Sequence, residues 1–290
     1  MLGTGLWPFP FFLKSITAFM KKNSSLIGIA IGFAAIFGAF WLEGGAFRSL
    51  FLIPAMLIVL GGTFAAAITG SSLEHFLKIP ELMRTAFFPK VYSRNDIINQ
   101  VIYISSVARR SGLIGLEKHL KEVEHPFLKK LFQTCVDGAE PEVVMHVAET
   151  EIDFLTARHQ ANIGLFTKMG GYSPTMGIIG TVMGLISTLA AAGGDPNELI
   201  RHIASAFIAT LWGIFMANIV WLPIADRLRM LHNEEVLLMQ IIAEGARAVQ
   251  LGQTPSVIRA KLASALPPHD RIDMGGTATS KNTTLRPEHS

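Results

Sequence analysis

Four stretches of the chain carry no charged residue and are almost wholly apolar: Leu26–Leu42, Leu50–Thr69, Tyr172–Ala192 and Ile203–Ala225, of 17, 20, 21 and 23 residues. A bilayer core about 30 Å thick needs roughly 17–25 helical residues, so each can span it. The first is at the short end and borrows interfacial residues such as Ser24 and Ser25. The stretches form two close pairs, and the long segment between them changes to the spacing of amphipathic helices. After Ser93-Arg94-Asn95, with Asn95 placed as the N-cap, Ile97, Ile98, Val101 and Ile102 recur at helical intervals until Gly112 breaks the pattern. A second helix carries Leu116, Leu120 and Val123 and is ended by Pro126. Pro141, at a first-turn position, opens a long helix through Val144, Val147, Ile152, Leu155 and Ile163. That helix heads into the third stretch, with an interruption at Gly170-Gly171. Past the fourth stretch no breaker appears before Gly245, so the helix continues. The predicted fold class is all-α: an integral membrane protein with four transmembrane helices and a helical cytoplasmic insert between spans 2 and 3.

Lysine and arginine near the spans set the orientation. Lys14, Lys21 and Lys22 precede span 1, Lys78 and Arg84 follow span 2, Arg158 and Lys168 precede span 3, and Arg227 and Arg229 follow span 4. The two short connections hold one basic residue each, Arg48 and Arg201. Both termini and the insert are therefore expected in the cytoplasm. The resulting division is a cytoplasmic N-terminal segment 1–25, spans 1 and 2 in 26–69, the insert 70–171, spans 3 and 4 in 172–225, cytoplasmic helices 226–266, and a tail 267–290. The tail is rich in Thr, Gly, Pro and charge, a composition of disorder. The first 19 residues lack a small-residue cleavage site, which argues against a removable signal peptide. Met20-Lys21-Lys22-Asn23 reads like a bacterial start directly before span 1, so 1–19 is either an extension or an interfacial segment.

Composition agrees with this picture and removes other functions. Half of the 290 residues are hydrophobic and 16% are charged, against roughly 25% charged in soluble domains. A net charge of +3 without a basic run gives no nucleic-acid footprint. The single cysteine, Cys135, excludes an intramolecular disulfide framework and a multi-cysteine zinc site. Nine histidines show no metal-ligand spacing, and the glycine-rich third span lacks the Lys-Ser/Thr of a phosphate loop. Glu149, Glu151 and Asp153 read as a solvated helix face rather than paired catalytic carboxylates. The chain is not expected to be an enzyme, and it needs no cofactor.

None of the four spans contains Asp, Glu, Lys, Arg or His. Their polar content is hydroxyls and an amide: Thr63, Ser173, Thr175, Thr181, Ser187, Thr188, Ser205, Thr210 and Asn218. In span 3, Ser173, Gly177, Gly180, Gly184 and Ser187 fall at steps of four, three, four and three, with Thr181 and Thr188 beside them. In span 4, Ala206, Thr210, Gly213 and Ala217 make a matching stripe. Small residues so spaced let helix backbones approach, and hydroxyls beside them ordinarily bond a carbonyl one turn back. An intramembrane ion relay usually needs a carboxylate. If this chain moves ions, another chain must supply that group.

Two blocks carry a resemblance: Ser173-Pro174-Thr175-Met176-Gly177-Ile178-Ile179-Gly180-Thr181-Val182-Met183-Gly184-Leu185, and Ala206 to Ile214 followed by Ala217-Asn218 and Pro223-Ile224-Ala225-Asp226. With Gly61-Gly62-Thr63, Glu124-His125-Pro126-Phe127-Leu128 and Val136-Asp137-Gly138, they closely resemble the flagellar stator A-subunit family, MotA/PomA, within the wider MotA/TolQ/ExbB group. The 2 + 2 span layout favours this branch over the three-span TolQ/ExbB energisers of envelope transport, the alternative reading. The resemblance implies a subunit of the bacterial inner membrane, five copies of which surround two copies of a B subunit (MotB/PomB-like) bearing the missing intramembrane aspartate. Flow of H⁺ or Na⁺ would drive torque on the rotor protein FliG, with lipid around the assembly and no nucleic acid. Thr181 and Thr210 would line the ion pathway, Pro174 and Pro223 would be coupling hinges, and Arg109 and Glu117 would meet the rotor. Sodium-driven members carry threonine at the Thr181 position and proton-driven members often alanine, so Thr181 favours sodium.

Overall fold

The computed structural model describes residues 9–191 and 193–266, with side chains from Leu26 onward. Every regular element among them is helical. They divide into two units, one comprising the described residues up to Lys90 with Ala157–His232, the other Val91–Thr156 with Asn233 onward.

In the first unit, α1 (Phe9–Leu42) is one helix that already includes most of the segment expected to precede span 1. Its apolar part, Leu26–Leu42, is matched by a second 17-residue apolar run, Ile53–Thr69. That second run begins later than the composition suggests. A short turn, α2 (Phe47–Leu50), stops before Leu52, and the run restarts as α3 (Ile53–Met56) with Pro54 in its first turn. Proline lacks the donor that an unbroken helix would need there and fits where the first-turn N–H groups are unpaired anyway. A π-helical turn, Leu57–Gly61, leads into α4 (Gly62–Thr69). Two short helices, α5 (Leu73–Leu77) and α6 (Ile79–Phe87), follow. The amphipathic pattern had not singled them out because each is under three turns long. Ser72 caps α5 by accepting from the His75 N–H.

Two longer helices run through both units. α10 (Pro141–Ala190) is a 50-residue helix and begins at Pro141 as expected. The expected interruption at Gly170-Gly171 is absent. The helix runs through both glycines, and the missing side chain of Gly170 makes room for Leu222, whose Cδ2 would stand 2.5 Å from a Cβ there. α11 (Pro196–Phe215), a π-helical turn Met216–Trp221, and α12 (Leu222–Gln250) form a continuous 55-residue stretch that passes straight through Gly245. α10 and this stretch are long and apolar enough to cross a bilayer.

The second unit holds α7 (Arg94–Ser111), a 3₁₀ turn Ile114–Leu116, α8 (Glu117–Leu120), α9 (Pro126–Val136) and α13 (Pro255–Ala263). Three expectations need correction. Ser93, not Asn95, caps α7, accepting from the Asp96 N–H at 3.3 Å. The helix after Gly112 ends at Leu120 and leaves Val123 outside it. Pro126 starts α9 rather than ending its predecessor, with the His125 ring nitrogen capping Leu128 N–H at 3.4 Å. Gly112 does break the chain as expected, at φ 73°, a left-handed conformation that suits glycine. This unit's core is made of large side chains: Ile97, Ile98, Val101, Leu116, Leu120, Leu128, Leu131, Phe132 and Ile242 are nearly or wholly buried. Gly245 brings α12 onto α7, since a Cβ there would meet Val101 Cγ1 at 2.6 Å. The expected disordered tail lies outside the described residues.

Candidate ion pathway between two small-faced helices

The glycine stripe of α10 meets the stripe of α11 at backbone distance. A Cβ on Gly177 would stand 2.9 Å from the Ala209 carbonyl and 3.2 Å from Thr210 Cα, and one on Gly184 would meet Ala206 Cβ at 2.7 Å. A Cβ on Gly213 would meet the Ser173 carbonyl at 2.7 Å. Large residues beside the stripes, among them Ile178, Val182, Leu185, Ile186, Leu189, Phe207 and Ile214, point outward and are exposed in the isolated chain. Small residues at the seam and bulky ones outside are the arrangement of helices packed in lipid.

This approach brings two hydroxyls together. Thr181 Oγ1 and Thr210 Oγ1 are in direct hydrogen-bond contact, and Thr181 Oγ1 also lies 3.1 Å from the Gly177 carbonyl and 3.2 Å from the Ala206 carbonyl. Four oxygens thus converge, and the two hydroxyls have only two protons to donate. Lone pairs remain for a hard cation or a proton donor. Three other span hydroxyls behave as packing predicts: Thr63, Ser187 and Thr188 each donate to the carbonyl four residues back, at 2.6, 3.0 and 2.8 Å. Ser173 differs, for it is fully buried with no hydrogen-bond partner among the described residues.

Pro174 sits inside α10, where its ring removes one ladder donor. Pro223 stands in the first turn of α12, directly after the π-helical turn. The two sites are linked, because Leu222 packs into the gap left by Gly170, four residues before Pro174. The π-helical turns at Leu57–Gly61 and Met216–Trp221 were not read from the sequence. Uniformly apolar stretches carry no phase mark, and Pro223 was the one available signal. Also unforeseen is the His159–His232 pair, with Nδ1 atoms 3.3 Å apart. Burial, then the facing His232 and Arg158, pushes the His159 imidazole below its ordinary range; burial does the same to His232. Near the seam, Trp212 Nε1 donates to the Leu50 carbonyl at 2.8 Å and ties α11 to the restart before α3.

Arg109 and Glu117 belong to the second unit and are not part of this cluster. Arg109 lies in the last turn of α7 and Glu117 opens α8, on either side of the Gly112 break, and both side chains are exposed.

Two helices long and apolar enough to cross a bilayer, joined along glycines with a hydroxyl cluster at the seam, define the class: an all-helical protein with the packing of a membrane protein. Comparison with known proteins is specific. Residues 119–241 match the MotA/TolQ/ExbB proton channel family and residues 26–112 match the motility protein A N-terminal family. The motility protein A of Bacillus subtilis is 34% identical over 269 residues, covering 92% of this chain and 99% of that protein. The chemotaxis protein PomA of Vibrio alginolyticus is 31% identical over 243 residues, covering 84% and 94%. The flagellar MotAB stator complex of Bacillus subtilis superposes with a TM-score of 0.81 at 35% identity, covering 86% of this chain and 98% of that one. The C. jejuni MotAB structure gives 0.80 at 27%, covering 85% and 96%. The chain belongs to the MotA/TolQ/ExbB family, in its motility protein A branch.

Proposed function

We propose that this chain is the A subunit of a flagellar stator, an inner-membrane protein that forms a cation channel with a B subunit and converts ion flow into torque. The observation that carries this reading is the Thr181–Thr210 cluster between two apolar stretches, 172–192 and 203–225, that contain no Asp, Glu, Lys, Arg or His, within a chain of this family. The match of residues 26–112 to the motility protein A N-terminal family favours the stator over the TolQ/ExbB type. Both solved relatives are MotAB complexes, which supports a B partner supplying the aspartate. On this reading the two 17-residue apolar runs complete a four-span topology with both termini and the second unit in the cytoplasm, assembled as five A chains around two B chains.

A cation descending the pathway would be held between the B aspartate and the oxygens of Thr181, Thr210, Gly177 and Ala206. A hard cation such as sodium is well served by oxygen ligands, so Thr181 inclines the assignment to sodium. The shift of charge at the aspartate would be transmitted through the helix ends at Pro174 and Pro223, where missing backbone donors ease bending. Arg109 and Glu117 would meet FliG. The test is ion flux into vesicles. The A chain alone should conduct negligibly, and co-expression with an unplugged B subunit should restore conductance. Robust flux through the A chain alone would refute the reading. Swimming speed with and without sodium at fixed pH, in wild type and Thr181→Ala, decides the ion; speed indifferent to sodium would assign the proton.

A further inference from the structure

Beside Pro223 the first unit has a cavity of about 270 Å³ lined by Gly28, Ile29, Ala86, Phe87, Asn218, Ile219, Pro223, Ile224 and Arg227. Its walls come from α1, α6 and the π-helical turn with α12. The lining is graded along its length. Asn218 and Arg227 stand nine steps apart in the chain, about 13 Å along the helix axis at 1.5 Å per residue. Arg227 occupies the end just past the apolar stretch, and Ile29, Phe87, Ile219 and Ile224 wall the part beside it. The Arg227 side chain is anchored without being consumed. Nε donates to the Ala86 carbonyl at 3.3 Å and one Nη contacts Met230 Sδ at 3.7 Å, while the other Nη has no protein partner among the described residues. No acidic side chain lines the cavity, and the neighbouring Asp226 is exposed and paired to Arg229 at 2.5 Å.

We infer that this cleft seats one anionic phospholipid of the cytoplasmic leaflet, its phosphate on Arg227 and an acyl segment along Ile29, Phe87 and Ile219. A guanidinium offers a planar fork matched to phosphate oxygens. A cation at the end of an apolar slot lies where a headgroup meets its chains, and basic pockets between transmembrane helices recognise anionic headgroups. A free phosphate would satisfy Arg227 but leave the apolar slot unfilled. Because the slot touches Pro223, the lipid would brace the proposed hinge. The inference rests on the membrane-spanning reading above.

The test uses the stator complex assembled with its own B subunit and purified in detergent, with native mass spectrometry counting retained phosphatidylglycerol and phosphatidylethanolamine. Wild type retains phosphatidylglycerol preferentially. Arg227→Gln binds it about fivefold more weakly, the worth of one interfacial cation. Gly28→Leu, at a position with nothing within 4 Å of its Cβ, fills the slot and displaces the lipid while Arg227 remains. Arg227→Lys, read in place of Arg227→Gln if the latter fails to assemble, keeps the charge without the planar fork and retains less phosphatidylglycerol than wild type; equal retention would overturn the seat of the phosphate on Arg227. Equal retention in wild type and Gly28→Leu, equal binding of phosphatidylethanolamine, or displacement by inorganic phosphate each overturns the lipid site. Failure of the wild-type chain to enter the membrane fraction overturns the spanning reading as well, so the two failures are distinguishable.

Discussion

The two units pack helices by opposite means. Along the α10–α11 seam of the first the contact is made of Gly177, Gly180, Gly184, Ala206, Ala209 and Gly213, and large side chains beside it such as Ile178, Val182, Leu185 and Phe207 face outward. In the second, Phe132, Leu128, Ile97 and Ile98 are nearly or wholly buried and the charges face out, among them a Lys130–Glu151 pair at 2.6 Å. Water drives large apolar groups inward, so the second unit draws stability from burying them. Lipid offers no such drive between helices, so the α10–α11 seam relies on close backbone approach and on hydrogen bonds. The difference explains where chemistry can reside. The Phe and Leu side chains of that core carry no polar atoms themselves, whereas the glycine seam leaves Thr181 and Thr210 facing each other.

The comparison can be broken most severely in the second unit. Phe132→Ala should cost about 3–5 kcal/mol, the usual penalty for emptying a buried aromatic site, read as lost amide-exchange protection of α7 and α9. Protection unchanged there would mean the core does not hold that unit together. Next comes the seam. Gly177→Val places a side chain against the Ala209 carbonyl, 2.9 Å from the new Cβ. About 1–3 kcal/mol of overpacking should follow, with lower thermal stability of the detergent-purified chain and loss of motility. The matching change at Gly164, with nothing within 4 Å of its Cβ, should leave stability nearly unchanged. Equal effects at the two positions would remove the argument for a small-residue seam.

A smaller effect depends on pH. Burial holds the His125 imidazole below its ordinary range, and its Nδ1 must stay unprotonated to accept from Leu128 N–H. A depressed folded-state value means the unfolded chain binds more protons, so stability is present above pH 6.5 and falls as pH drops through the folded value. The loss should approach the worth of one helix cap, about 1 kcal/mol. His125→Asn keeps a capping acceptor without titrating, and should flatten the pH dependence of α9 exchange protection. The smallest effect belongs to the exposed Lys130–Glu151 pair. Lys130→Ala should change stability by about 0–1 kcal/mol and less at high salt, checked by denaturant unfolding at two ionic strengths.

Much of the seam was legible in advance because small residues at steps of three and four have a direct geometric meaning, and the structure joins the two stripes as that spacing implies. Pro141 as a helix start and Gly112 as a break were legible for the same reason: each residue imposes its backbone conformation alone. Pro126 was ambiguous, since proline both follows helix ends and opens helices, and only the cap made by His125 distinguishes the two. Ser93 and Asn95 are both good caps, and sequence cannot decide which side chain turns toward the Asp96 N–H. The use of glycine at 170 within α10 answers to Leu222, fifty-two positions away in the chain, which occupies the space a Cβ would take. No local pattern records such a contact. The His159–His232 pair, 73 residues apart, was invisible on the same grounds.

On the proposed function, the ion passes the B subunit at the Thr181–Thr210 cluster. Ion flux through the assembled, unplugged stator complex should be compared for wild type, Thr210→Val and Thr210→Ser, with assembly verified for each. Valine keeps the branched shape and removes the hydroxyl. Flux should fall about tenfold or more, as one lost charge-assisted contact of ~1.5–3 kcal/mol implies, and serine should restore most of it. Wild-type flux in an intact Thr210→Val complex would show that the hydroxyls serve packing alone, and the proposed pathway would be wrong.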